Sequence, residues 1–178
     1  MNVGGGLQFL FTTLFNLYLY IVIARFVLQL ARADFYNPVS QLIAKITSPL
    51  LRPLRKVIPG FGGIDIACMV LFLGLVLLKI FLIGILFGQS QVLGPQIVVY
   101  TLFSAASTII NFFIAVIFIS VILSWIAPPG HPLGDILRQM AEPVLGPARR
   151  ILPPMGGLDF SPMIVLLLLY FVKVTFGL

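Results

Sequence analysis

Four stretches of the chain are almost wholly apolar, and two of the intervals between them alternate apolar and basic positions with helical spacing. The apolar stretches cover roughly residues 7–31, 64–87, 97–127 and 158–177. About 20 apolar residues suffice for a helix to cross a hydrocarbon core of ~30 Å, so each stretch is expected to be a transmembrane helix. The interval after the first stretch places Val39, Leu42, Ile43 and Ile46 on one helical face, with Ser40, Gln41 and Lys45 beside it. The interval after the third repeats this with Leu133, Ile136, Leu137 and Met140, and with Asp135, Arg138 and Gln139. A second basic, amphipathic element follows in each. Leu50, Leu51, Leu54, Val57 and Ile58 oppose Arg52, Arg55 and Lys56; Val144, Leu145, Ala148, Ile151 and Leu152 oppose Arg149 and Arg150. Pro49, Pro53, Pro143 and Pro147 are expected to break each connector into pieces too short to span. Short, amphipathic and basic helices suit the membrane interface.

The two connectors belong to a longer repeat. Residues 48–79 and 142–173 align without a gap at an offset of 94, with 12 of 32 positions identical. Pro49, Pro53, Arg55, Pro59, Gly62, Gly63, Asp65 and Lys79 recur as Pro143, Pro147, Arg149, Pro153, Gly156, Gly157, Asp159 and Lys173. The expected fold is therefore an all-α membrane protein. Its four transmembrane helices form two parallel repeats of helix, interfacial amphipathic helices and helix. The first repeat occupies residues 1–94 and the second 95–178.

Composition sharpens this reading. The 178 residues are 60% hydrophobic and 9% charged, with mean hydropathy +1.15. Soluble domains carry about 25% charge, so a water-exposed globule is excluded. The net charge of +6 has a membrane explanation before a nucleic-acid one, and no nucleic-acid partner is expected. Eight of the 11 basic residues lie in the two connectors, and none lies in residues 88–96. The positive-inside rule then puts both connectors in the cytoplasm and both termini outside, in a multi-pass membrane protein. The apolar stretch before Ala31-Arg32-Ala33 is too long for a signal h-region, so an uncleaved first span is expected. Two spans per repeat give both repeats the same orientation, unlike the inverted repeats common in transporters.

Little in the chain could carry covalent chemistry. There are five acidic residues, one histidine and one cysteine, and metal ligation needs several such groups converging. No enzymatic activity, cofactor or metal is expected, and His131 reads as a turn residue. The sharpest local pattern is Pro-x-x-Gly-Gly-[Ile/Leu]-Asp at 59–65 and 153–159. Prolines end one helix, glycines permit the turn, and Asp65 and Asp159 can cap the next helix; a functional carboxylate is the sharper alternative. Lys79 and Lys173 are intramembrane charges, either snorkelling to headgroups or functional. Arg25 is expected to snorkel at the inner side. Ser104, Ala105, Ala106, Ser107 and Thr108 suit close helix packing, and Trp125 an interfacial position.

The doubled motif, preceded by Asn37-Pro38 and by [Ser/Glu]-Pro-x-Leu-x-Pro-x-[Arg/Lys]-[Arg/Lys], resembles the YggT family, also called YlmG, over nearly the whole chain. The family's Asp-x-Ser-Pro stands in the second copy as Asp159-Phe160-Ser161-Pro162, whereas the first has Asp65-Ile66-Ala67-Cys68. Gly146 replaces a usual basic residue, so the copies are not equivalent. The resemblance implies a small inner-membrane protein without an assigned reaction. It links bacterial relatives to osmotic stress tolerance, division and envelope organisation, and plastid relatives to haem attachment and nucleoid distribution.

The expected function is scaffolding or envelope organisation. Arg52, Arg55, Lys56, Arg149 and Arg150 would meet anionic inner-leaflet lipid, with a membrane-protein partner or a second copy of the chain alongside. An oligomeric channel or transport component for ions or osmolytes is the alternative, and a haem or cofactor assembly factor a weaker one. For a pore, Asn16, Gln29, Asn111 and Ser124 are too few within one chain.

Overall fold

The computed structural model describes residues 3–60, 63–89, 94–128, 130–152 and 159–178. Among these the chain is all-helical, with six helices and no strand. Three helices are long and apolar enough to cross a membrane: α1 (Val3–Leu30), α3 (Ile66–Leu86) and α4 (Ile97–Ile126). Between them lies α2 (Pro38–Val57), and α4 is followed by α5 (Pro132–Ile151) and α6 (Ser161–Phe176). The last is apolar but has 16 residues, about 24 Å at 1.5 Å per residue. Residue 158, where the fourth expected span begins, lies outside the described residues, as do Gly62, Pro153, Gly156 and Gly157 of the doubled motif.

The expected break at the prolines does not occur. Each connector is one continuous 20-residue helix, with Pro49 and Pro53 inside α2 and Pro143 and Pro147 inside α5. An internal proline loses one i→i−4 bond and clashes with a carbonyl, at about 3 kcal/mol. Isolated helices of this length would not absorb that twice, but these are not isolated. Thr47, Leu51, Ile136, Ala141 and Leu145 are buried against neighbouring helices, and this packing offsets the loss. The Thr47 and Ser48 hydroxyls also donate to the Ile43 and Ala44 carbonyls at 2.8 and 2.5 Å, just before Pro49.

Both connectors start at a proline, where a missing N–H is harmless. Asn37 caps α2, accepting from the Val39 N–H at 2.9 Å, while its amide donates to the Pro132 carbonyl at 2.9 Å. The Asp34 N–H donates to Gln139 at 3.1 Å. These bonds tie the two connectors together. The turn leaving α1 places Arg32 at φ +49°, a left-handed conformation that glycine usually takes.

The long helices pack as neighbours. α1 contacts α3 and α4, and α3 contacts α4. α6 contacts α4 and α5 alone among the described elements. Leu19, Val22, Val76, Ile117 and Ile136 are completely enclosed. Ala105 and Thr108, from the small-residue run in α4, are also buried, so that run serves packing within the chain.

Candidate membrane-interface site

Helical spacing divides α2 into three lengthwise sectors. Ser40, Ile43, Thr47 and Leu51 are buried against the protein. Next comes an apolar but exposed stripe of Leu42, Ile46, Leu50 and Val57, from 38% to 80% exposed. Opposite it lie exposed Gln41, Lys45, Arg52 and Lys56. The expected apolar face is thereby split: Ile43 turns inward while Leu42 and Ile46 stay out. α5 differs. Ile136 and Met140, which occupy the positions of Leu42 and Ile46, are buried. α5 touches α1 in addition to α2, α4 and α6, whereas α2 touches α1, α3 and α5, and Ile151 at the far end of α5 stays exposed.

The five expected lipid-facing cations also divide. Arg55 is engaged with Asp65 through Nε at 3.2 Å and through a close Nη2 contact. Arg149 bonds Asp159 at 2.9 Å and Glu142 at 2.5 Å. Arg52, Lys56 and Arg150 are exposed and make no ion pair among the described residues.

These pairs define the corner where each connector meets the next helix. Asp65 is the N-cap of α3: one carboxylate oxygen accepts from the Cys68 N–H at 3.1 Å and the other takes Arg55. Gly63 precedes it at φ +83°, and its carbonyl accepts from Gln29 at 3.3 Å. Asp159 sits one residue earlier relative to its helix. It accepts from the Ser161 N–H at 2.9 Å, and Phe160 is the N-cap. Burial pushes the Asp159 pKa up, but Ser161 and the Arg149 guanidinium outweigh it and hold the carboxyl below its ordinary value. Pro59 ends exposed just past α2.

Lys79 does not snorkel. It is 6% exposed and lies on the protein-facing stripe of α3 with Cys68, Phe72 and Val76. Its ammonium donates to the Asn16 side chain on α1 at 3.1 Å. Lys173, half-buried on α6, donates to Asn111 on α4 at 2.7 Å. The asparagine partners were not assigned from the sequence. Their own offset, 16 to 111, nearly matching 79 to 173, is the signal that could have found them.

Polar groups otherwise stay dispersed. Ser124 donates to the Val121 carbonyl of its own helix. A 260 Å³ cavity between α1, α3 and α4 is lined by apolar side chains and Cys68. His131 lines a separate 390 Å³ cavity with Ser120, Asp135 and Arg138. Among the described residues no three His, Cys, Asp or Glu side chains converge on a metal-sized position.

Long apolar helices, a half-exposed amphipathic connector and lysine–asparagine pairs between apolar helices define a small polytopic helical membrane protein. The CCB3/YggT family model matches residues 5–86 and 99–177, and the chain belongs to that family. It is 46% identical over 165 residues to an uncharacterised protein of Pseudomonas aeruginosa, covering 90% of this chain and 83% of that one. It is 40% identical over 167 residues to the uncharacterised protein YggT of Escherichia coli, covering 94% and 87%. A Vibrio alginolyticus protein, uncharacterised, is 39% identical over 173 residues, covering 97% and 94%. No solved structure matches.

Proposed function

We propose that the chain is a non-enzymatic scaffold of the bacterial inner membrane, with α1, α3, α4 and α6 as four spans in two parallel repeats. Both termini lie outside, and α2 and α5 lie at the cytoplasmic interface. The three-sector geometry of α2 carries the reading. A helix packed on one side, apolar on the second and cationic on the third suits a position between hydrocarbon and headgroups. Lys45, Arg52, Lys56 and Arg150 meet anionic lipid at about 1 kcal/mol each. Arg55 and Arg149 instead hold the connector against the next helix. The coupling of envelope state to a partner, in osmotic stress or division, is the role the family resemblance suggests.

The pore alternative has less support. Asn16 and Asn111 each accept from a lysine, Gln29 donates to the Gly63 carbonyl and Ser124 to the Val121 carbonyl, so these four groups are tied to separate partners rather than arrayed along one path. The haem reading would draw on Cys68, which is buried with its thiol directed to the Val22 carbonyl at 3.5 Å.

Reconstitution of the full chain, labelled at single cysteines in a Cys68→Ala background, tests the proposal. Labels at 46 and 50 should be quenched by nitroxides on acyl chains, and labels at 45, 52 and 56 by aqueous iodide. Reporter fusions at residue 92 and at the C-terminus should both read as external. Aqueous quenching of all five labels, or a cytoplasmic reporter, refutes the arrangement. Replacing Arg52, Lys56 and Arg150 by Gln should abolish membrane-dependent function without unfolding the chain.

A further inference from the structure

At the basic end of α1, two cavities of 210 and 270 Å³ share Arg25 and Gln29 as lining residues. The larger adds Arg55, Gly60 and Asp65; the smaller adds Ser40, Leu28 and Phe35. Two guanidinium groups and one carboxylate therefore face one space, for a net charge of +1. The carboxylate is fully used: Asp65 receives Arg55 on one oxygen and the Cys68 N–H on the other. The Arg25 side chain makes no hydrogen bond or ion pair among the described residues, although Arg55 and Asp65 lie within its electrostatic reach. Ser40 is 3% exposed, and its hydroxyl has no partner among the described residues. The free Arg25 guanidinium, the Gln29 carboxamide with one N–H given to the Gly63 carbonyl, and the unpaired buried Ser40 hydroxyl thus line adjoining cavities beside the Arg55–Asp65 pair, and the net charge is that of Arg25.

We propose that Arg25, Gln29 and Ser40, backed by Arg55, bind the phosphodiester of an anionic phospholipid. A planar guanidinium offers paired N–H donors matched to phosphate oxygens, and Ser40 supplies the hydroxyl donor. The charge balance selects a monoanion: one phosphodiester neutralises the excess, whereas a dianion would overshoot it. Leu28 and Phe35 give the smaller cavity an apolar wall suited to the glycerol end of a lipid. Arg25 lies five residues before the end of α1, level with the Asp65 cap of α3, so a headgroup there can leave its acyl chains beside both helices. Among the described residues the second half lacks this arrangement, because Ser120 and Gly134 line the corresponding cavity in place of Arg25 and Ser40. One such site per chain follows. This deepens the membrane-coupling reading and rests on it, but it assigns a stoichiometric lipid rather than a diffuse charged surface.

Native mass spectrometry of the full chain in neutral detergent tests the site, with phosphatidylglycerol, phosphatidylcholine and inorganic phosphate as probes. One phosphatidylglycerol should be retained per chain, in preference to phosphatidylcholine, and millimolar phosphate should not displace it. Arg25→Gln should weaken retention by about tenfold or more, while Arg25→Lys and Ser40→Ala should weaken it less. A triple Arg52→Gln, Lys56→Gln, Arg150→Gln variant should keep the tight lipid and lose only weak, salt-sensitive binding. Thermal unfolding establishes that each variant is folded; if Arg25→Gln is not, Ser40→Ala and Arg25→Lys decide. Undiminished retention in the folded Arg25 and Ser40 variants overturns the site while leaving membrane coupling intact. Displacement by phosphate overturns the lipid assignment in favour of a free anion. No preference for anionic lipid in any variant would count against the coupling reading itself.

Discussion

Asp65 performs two tasks with two oxygens, and separating them gives a clear mutational signature. Asp65→Asn keeps an acceptor for the Cys68 N–H and loses the Arg55 pair; Asp65→Ala loses both. The alanine variant should lose about 2–3 kcal/mol in detergent unfolding, the asparagine variant about half that. Asp159 is more exposed and should cost less in either form. Its pH signature is the more telling. Because its folded pKa is held below the ordinary carboxylate value, its contribution is present above that value and disappears as pH falls through the folded one. Unfolding curves taken from about pH 5 to about pH 2 should therefore fall more steeply for the parent than for Asp159→Asn. The Lys79–Asn16 pair yields a third test. Asn16→Leu strips an enclosed ammonium of its acceptor and should destabilise by about 1–3 kcal/mol. Lys79→Met in that background should restore most of the loss, since removing both partners leaves no unpaired polar group. A further loss in the double variant would mean that the lysine has a partner other than Asn16.

The helices themselves were largely legible. Runs of apolar residues place α1, α3 and α4 to within a few residues, and Asn37 with Pro38 marks the start of α2. The doubled motif also located both aspartates beside a helix start. Two features were not legible. A proline inside a pattern reads as a break because local propensity opposes it; only tertiary packing of Thr47 and Leu51 reveals that the helix continues. Amphipathic periodicity also names one apolar face, whereas α2 has two, one against protein and one exposed. Burial selects Ser40 and Thr47 over Leu42 and Ile46, which hydrophobicity alone would never choose. The turn after α1 supplies an element-scale test. Arg32 occupies a left-handed conformation that strains a residue with a Cβ. Arg32→Gly should stabilise the chain by about 0.5–1 kcal/mol, read as a rise in melting temperature. A loss instead would assign the Arg32 side chain a contact of greater value than the strain.

At the scale of the whole molecule, the halves are alike in plan and unlike in detail: α2 exposes Leu42 and Ile46 where α5 buries Ile136 and Met140, and α6 touches fewer helices than α3 does. The lysine–asparagine pairs are common to both, and they bear on how the chain is made. In each pair the asparagine belongs to the helix synthesised first, and the lysine to the one that follows. A lysine entering lipid alone is costly, about 2.5–3.5 kcal/mol at a helix centre. With the acceptor already in place, the later helix can deliver its charge directly to a waiting carbonyl oxygen. On the proposed layout this makes biosynthesis directional, with α1 receiving α3 and α4 receiving α6. α3, with 21 strongly apolar residues, can enter without help; α6, with 16, depends more on its acceptor. Asn111→Leu should therefore leave a measurable fraction of chains with the C-terminal reporter on the cytoplasmic side, while Asn16→Leu barely changes the reporter at residue 92. Equal effects at the two positions would show that the pairs act after insertion, as clamps between helices already in the bilayer.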